Sequence, residues 1–159
     1  MSEPQFLLGI ALSLITVLFH MTALSYLGFL LCLAFPAPSV GRHSPRRPAF
    51  LSLAVLALIA VHLLEATLWA LVYCELEEFD TLPNALYFSV VTATTLGFGD
   101  ITLSTNWQLL SVFEAMTGLL LFGASTACIF QLMTKTLPDP FPPEDHGPDP
   151  LTTTQDSAP

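Results

Sequence analysis

Three long stretches of this chain are almost free of charge, and they constrain its fold more than any other feature. Between residues 5 and 35 there is no Asp, Glu, Lys or Arg. Residues 49–74 carry one such side chain, Glu65, and residues 107–134 carry one, Glu114. At about 1.5 Å per residue, each stretch is long enough as a helix to cross the roughly 30 Å hydrocarbon layer of a bilayer. Backbone polar groups in hydrocarbon must be satisfied within the segment, which favours helix. The chain is 53% hydrophobic and 11% charged, against about a quarter charged for a soluble domain. The predicted fold class is an all-α membrane protein with three transmembrane helices.

Residues 1–35 read as a retained N-terminal transmembrane helix. A cleaved leader would begin with basic residues and have a much shorter apolar core, whereas residues 1–5 hold only Glu3. Residues 36–48 contain Pro36, Pro38, Pro45 and Pro48 with Arg42, Arg46 and Arg47, and read as a tight basic loop. The span at 49–74 ends with Trp69 and Tyr73, residues expected at the lipid–water interface. After the acidic cluster of Glu75, Glu77, Glu78 and Asp80, residues 82–94 form a short helix too brief to cross. Pro83 suits its first turn, and Asp80 or Thr81 could cap it. Residues 135–159 form a proline-rich acidic tail expected to be disordered. Cys32, Cys74 and Cys128 are scattered and suit small core positions, although Cys74 lies near a helix end where pairing between subunits is conceivable.

Charge placement gives the topology. The basic residues are Arg42, Arg46, Arg47 and Lys135. With three spans and a re-entrant segment at 82–94, all four fall on one side, which the positive-inside rule makes cytoplasmic. The N-terminus and the acidic cluster then face outward and the C-terminus is cytoplasmic. A fourth span would put Lys135 opposite the arginines.

The short helix leads into Thr-Thr-Leu-Gly-Phe-Gly-Asp at residues 94–100. This heptapeptide resembles the selectivity filter of potassium channels, whose usual form is Thr-Val-Gly-Tyr-Gly followed by an acid. Leu96 stands in place of Val and Phe98 in place of Tyr; Thr95, Gly97, Gly99 and Asp100 match. With Tyr87, Trp107 and Gly118 in the family's order, residues 49–134 resemble the pore module of the potassium-channel superfamily: outer helix 49–74, pore helix 82–94, filter 95–99 and inner helix 107–134. The chain looks like a small bacterial member with one extra N-terminal span, in the inner membrane.

The resemblance implies a re-entrant pore helix and selectivity-filter loop, with oxygens of Thr95, Leu96, Gly97 and Phe98 coordinating K+ and Asp100 at the outer mouth. Gly97 and Gly99 would let an extended segment turn its carbonyls one way, with Leu96 and Phe98 pointing back into packing. One such strand cannot surround an ion, so a homotetramer is expected. Gly118 falls near the inner-helix hinge, or serves close packing. Glu65 and Glu114 are costly in a bilayer and are expected to face protein; one or both would brace the pore helix by a hydrogen bond. His62 shares a helical face with Glu65, so a proton relay is the alternative for that pair. The acidic cluster is either an outer vestibule that concentrates cations or a solvated loop.

The expected function is a passive potassium-selective channel in contact with lipid. No nucleophile–base set, metal-ligand spacing or phosphate loop is present in the sequence. No enzyme activity, cofactor beyond permeant K+, nucleic acid or small-molecule substrate is therefore expected. A weakly selective cation channel and a non-conducting membrane partner subunit are the alternatives.

Overall fold

The computed structural model describes residues 3–34 and 46–136. Within them lie four helices: α1 (Glu3–Ala34), α2 (Arg47–Glu75), α3 (Leu82–Ala93) and α4 (Gln108–Thr136). Most of the expected basic loop and the acidic tail fall outside the described residues. Spans of 28, 28 and 27 residues in α1, α2 and α4 are long and apolar enough to cross a membrane. α3 has 12 residues, roughly 18 Å of helix, and falls short. The protein is thus an all-helical membrane protein with three spans and one short inserted helix.

Local signals set the helix ends. α2 begins at Arg47, before the expected boundary, and takes Pro48 into its first turn. The missing N–H of proline has no partner to lose there, and its φ is already helical. Pro83 does the same for α3. Thr81 is the N-cap residue of α3, but its side chain makes no capping hydrogen bond, so the anticipated hydroxyl cap is not formed. α2 ends in a Schellman motif: the Glu77 N–H donates to the Cys74 carbonyl and the Glu78 N–H to the Tyr73 carbonyl, both at 3.0 Å. Glu77 takes φ 58° to close it, a conformation usually left to glycine.

α3 returns into the bundle between α2 and α4. Ser89 Oγ donates to the Ala66 carbonyl at 2.8 Å, roughly 14 Å inside the α2 end at Glu75. At its far end, a Cβ placed on Gly118 of α4 would lie 2.5 Å from the Ala93 carbonyl oxygen. α3 therefore stops about halfway along the spans. Its back packs on an aromatic cluster: Tyr73 meets Phe88 edge-on at 5.4 Å between ring centroids, and Phe79 meets Phe88 at 5.2 Å.

α1 is part of the same bundle and lies against α2 and α4. A Cβ on Gly9 would sit 2.3 Å from the Phe113 ring, so only glycine lets the two helices approach there. Phe6 packs edge-on to the same ring at 5.5 Å, which places the start of α1 at the end of the bundle where α4 begins. Leu31, Phe50 and Ala54 close the opposite end, with Leu132 packed against them. Leu14, Ile15 and Leu18 remain exposed on the outer face of α1.

Trp69 and Tyr73 are not interfacial anchors. They are 2% and 0% exposed: Trp69 Nε1 donates to Thr16 Oγ1 of α1 at 3.1 Å, and the Tyr73 hydroxyl finds Glu114. The facing helices supply the polar partner that a headgroup would otherwise provide.

Two substitutions test this account. Glu77→Gly relieves the left-handed strain and should raise the thermal unfolding midpoint in detergent, by roughly 0.5–1 kcal/mol after allowing for the greater unfolded-state freedom of glycine. Gly9→Val should lower it, by about 1–3 kcal/mol from overpacking against Phe113.

Candidate functional site

Residues 94–100 emerge from the inner end of α3. The helix closes with a second Schellman motif, in which the Thr95 N–H donates to the Thr92 carbonyl and the Leu96 N–H to the Val91 carbonyl, both at 2.9 Å. Thr95 holds the left-handed position at φ 58°. A β-branched residue there is a strained choice, of the kind that persists where surrounding structure holds it and function uses it. Gly97 and Gly99 also have positive φ, 55° and 76°. Left-handed residues at every second position replace the pleat of a β-strand, in which successive carbonyls point to opposite sides.

Leu96 and Phe98 do not pack back into their own chain. They are 57% and 64% exposed, because α3 and α4 cover one side of the loop only. Between the loop and α4 lies an open groove of about 660 Å³, reached by Thr95, Gly97, Gly99, Val112 and Met116.

Polar ties hold the loop and its mount. Tyr87 of α3 donates its hydroxyl to Asp100 Oδ2 at 2.8 Å, fastening the outer end of the loop to its own helix. That hydrogen bond is the main reason the Tyr87 phenol is held above its ordinary pKa. Behind α3, the Glu114 carboxylate accepts from the Tyr73 hydroxyl at 2.6 Å on one oxygen, and its other oxygen shares the single hydrogen of the Ser89 hydroxyl with the Ala66 carbonyl. Glu114 is 1% exposed, and this carboxylate joins α2, α3 and α4. Ser104, beyond the loop, gives both its N–H and its hydroxyl to Glu78, each at 2.6 Å. Within the acidic cluster Glu78 is therefore a strap between the two surface segments.

Glu65 takes a different place. It accepts from His20 Nδ1 of α1 at 2.7 Å and pairs with His62 Nδ1 at 3.0 Å; its described contacts are with these histidines, and it is Glu114 that reaches Ser89. A cavity of about 20 Å³, room for one water, lies between Glu65 and Glu114 and is lined also by Thr117 and Gly118. Gly118 is the contact point of α4 with the end of α3, a packing role. Cys74 and Cys128 are free thiols, each partly buried.

The sequence pattern did not single out Tyr73, Ser89, His20, Ser125 or Glu78 as polar partners. Tyr and Ser in apolar helices are ordinary residues until a carboxylate is placed opposite them. The clue available in advance was the pair of buried acids, each of which had to find donors.

With this geometry in view, comparison with known proteins identifies the class. Residues 56–135, half of the chain, match the family described as ion channel. The chain belongs to that family, and the matched stretch is a pore module of the potassium-channel superfamily. No solved structure matches the chain.

Removing the carboxylate by Glu114→Ala leaves the buried Tyr73 hydroxyl without its acceptor, while Ser89 keeps the Ala66 carbonyl. This should cost at least about 2 kcal/mol, read as a lowered unfolding midpoint in detergent. Gly118→Ala should destabilise by about 1–3 kcal/mol through its clash with the Ala93 backbone, and both variants should loosen α3 in hydrogen exchange.

Proposed function

We propose that four copies of this chain form a passive, potassium-selective channel whose filter is built from residues 95–99. The observation that carries the reading is the alternation of positive φ at Thr95, Gly97 and Gly99 on a loop mounted at the C-terminal end of a half-length helix. Such alternation can turn successive carbonyls toward one axis, where they replace the water shell of a cation. Oxygens of Thr95, Leu96, Gly97 and Phe98 would coordinate permeant K+, with Asp100 at the outer mouth. The negative end of the α3 dipole favours a cation at the inner end of the filter.

Four-fold assembly is supported by what one chain leaves uncovered. The loop offers carbonyls from one side only. Leu96 and Phe98 stand exposed, Thr95, Gly97 and Gly99 border an open groove, and neighbouring copies would cover them. Charge placement supports an outward-facing filter, with the N-terminus outside and the C-terminus in the cytoplasm.

Potassium flux into liposomes containing the purified chain tests the reading, together with reversal potentials in opposed potassium and sodium gradients. The expected result is flux with a strong preference for potassium, lost or made non-selective in Gly97→Ala, because a Cβ is strained at φ 55°. A reversal potential insensitive to the choice of cation would instead assign a weakly selective channel. Absence of flux from a properly assembled oligomer would leave the non-conducting partner.

A further inference from the structure

A second polar cluster lies beyond the end of α3, where α1, α2 and α4 meet. His20 Nδ1 is 2.7 Å from Glu65 Oε1, and His62 Nδ1 is 3.0 Å from Glu65 Oε2. The other nitrogens of both rings turn to one hydroxyl: Ser125 Oγ is 3.0 Å from His62 Nε2 and 3.3 Å from His20 Nε2. Four side chains thus close a ring. His20 is fully buried and Glu65 is 5% exposed. Phe122 stacks on His62 at 4.1 Å between ring centroids and fixes its plane.

The ring has a deficit of hydrogens. Four hydrogen bonds need four, while two neutral imidazoles and one hydroxyl supply three. One of the four contacts is therefore left without a hydrogen, and the nitrogens and carboxylate oxygens face one another as donors to a common centre would.

We propose that His20, His62 and Glu65 form a binding site for a divalent transition-metal ion of the zinc class. One ligand atom from each residue lies within 4.8 Å of the others. Tetrahedral zinc with ligands at about 2.0–2.2 Å places neighbouring donors roughly 3.4 Å apart, so rotation of three side chains closes the set. Two imidazoles and a carboxylate suit zinc, cobalt or nickel and are a poor match for potassium, magnesium or calcium. The fourth ligand is a water in the adjoining cavity of about 20 Å³, while Ser125 holds the far nitrogens of the two rings. Glu114 lines that cavity as well, so a second carboxyl lies close to the ion. Access is from the His62 side: this residue also lines an open cavity of about 210 Å³ beside α3. A bound ion would fasten α1 to α2 beside α4, the helix that carries Gly118.

The test is metal content, which is independent of whether the chain conducts. The full-length chain, stripped with a chelator and dialysed against Zn²⁺, should retain one zinc per chain. Loss of a second-shell partner alone costs about 10–100-fold in affinity, so His20→Gln, His62→Gln and Glu65→Gln should each weaken zinc binding at least that far. Glutamine at His43 or His146, the chain's other histidines, should leave it unchanged. Should the three variants fail to fold, Co²⁺ loaded into His62→Cys should show a thiolate-to-metal charge-transfer band absent from the unsubstituted chain. The proposal is overturned if the unsubstituted chain retains no zinc, if the three variants bind it as well as the parent, or if His62→Cys takes up cobalt without that band. Any of these would reduce the cluster to a hydrogen-bonded ring that only ties the helices together.

Discussion

The Glu114 carboxylate is the interaction on which the arrangement of this ion-channel domain rests. A helix of 12 residues cannot cross the bilayer, and its polar ends must be held inside protein. Glu114 holds it through Ser89 while taking the Tyr73 hydroxyl from α2. A buried acid is costly on its own, and breaking its partnerships costs more than forming them gains. That asymmetry makes the contact a strong constraint on geometry whatever its net contribution to stability. The Ala93–Gly118 approach, the aromatic packing behind Phe88 and the start of the 94–100 loop all follow from where α3 is pinned.

The same economy of polar groups explains α1. In hydrocarbon, helices gain little from meeting one another through apolar faces, so small residues and hydrogen bonds mark the contacts. Gly9 admits Phe113, Thr16 receives the Trp69 N–H, Ser13 accepts from Thr117 and His20 reaches Glu65. These contacts run from Gly9 to His20 and tie α1 to both long spans of the pore module. Among the described residues, every buried side-chain nitrogen or oxygen has a partner.

Much of this was legible in advance. Three nearly uncharged runs implied three spans, a fourth apolar segment was too short, and the charge pattern pointed to its turning back. The order Tyr87, Thr94–Asp100, Trp107, Gly118 carried the family, and two isolated acids in apolar helices announced that polar partners had to exist. The expectation went astray where tertiary contact overrode a local tendency. Trp69 and Tyr73 have the chemistry of interfacial residues, yet they are buried because Thr16 and Glu114 satisfy their polar atoms. Leu96 and Phe98 were expected to point back into packing; within one chain they stand exposed, because one chain covers only one side of the loop.

The sequence by itself determined the number of spans, the short inserted helix and the loop with glycine at alternate positions, because hydrophobic length, charge and φ preference are local properties. Only the tertiary structure decided which acid meets which donor. Glu65 and Glu114 are alike on paper, but helix packing puts Ser89 and Tyr73 opposite one and His20 opposite the other, beside its local neighbour His62. His20 and Glu65 lie on different helices, so no local spacing could reveal their pairing; a side chain's partners are set by how helices cross, and that is a property of the whole bundle.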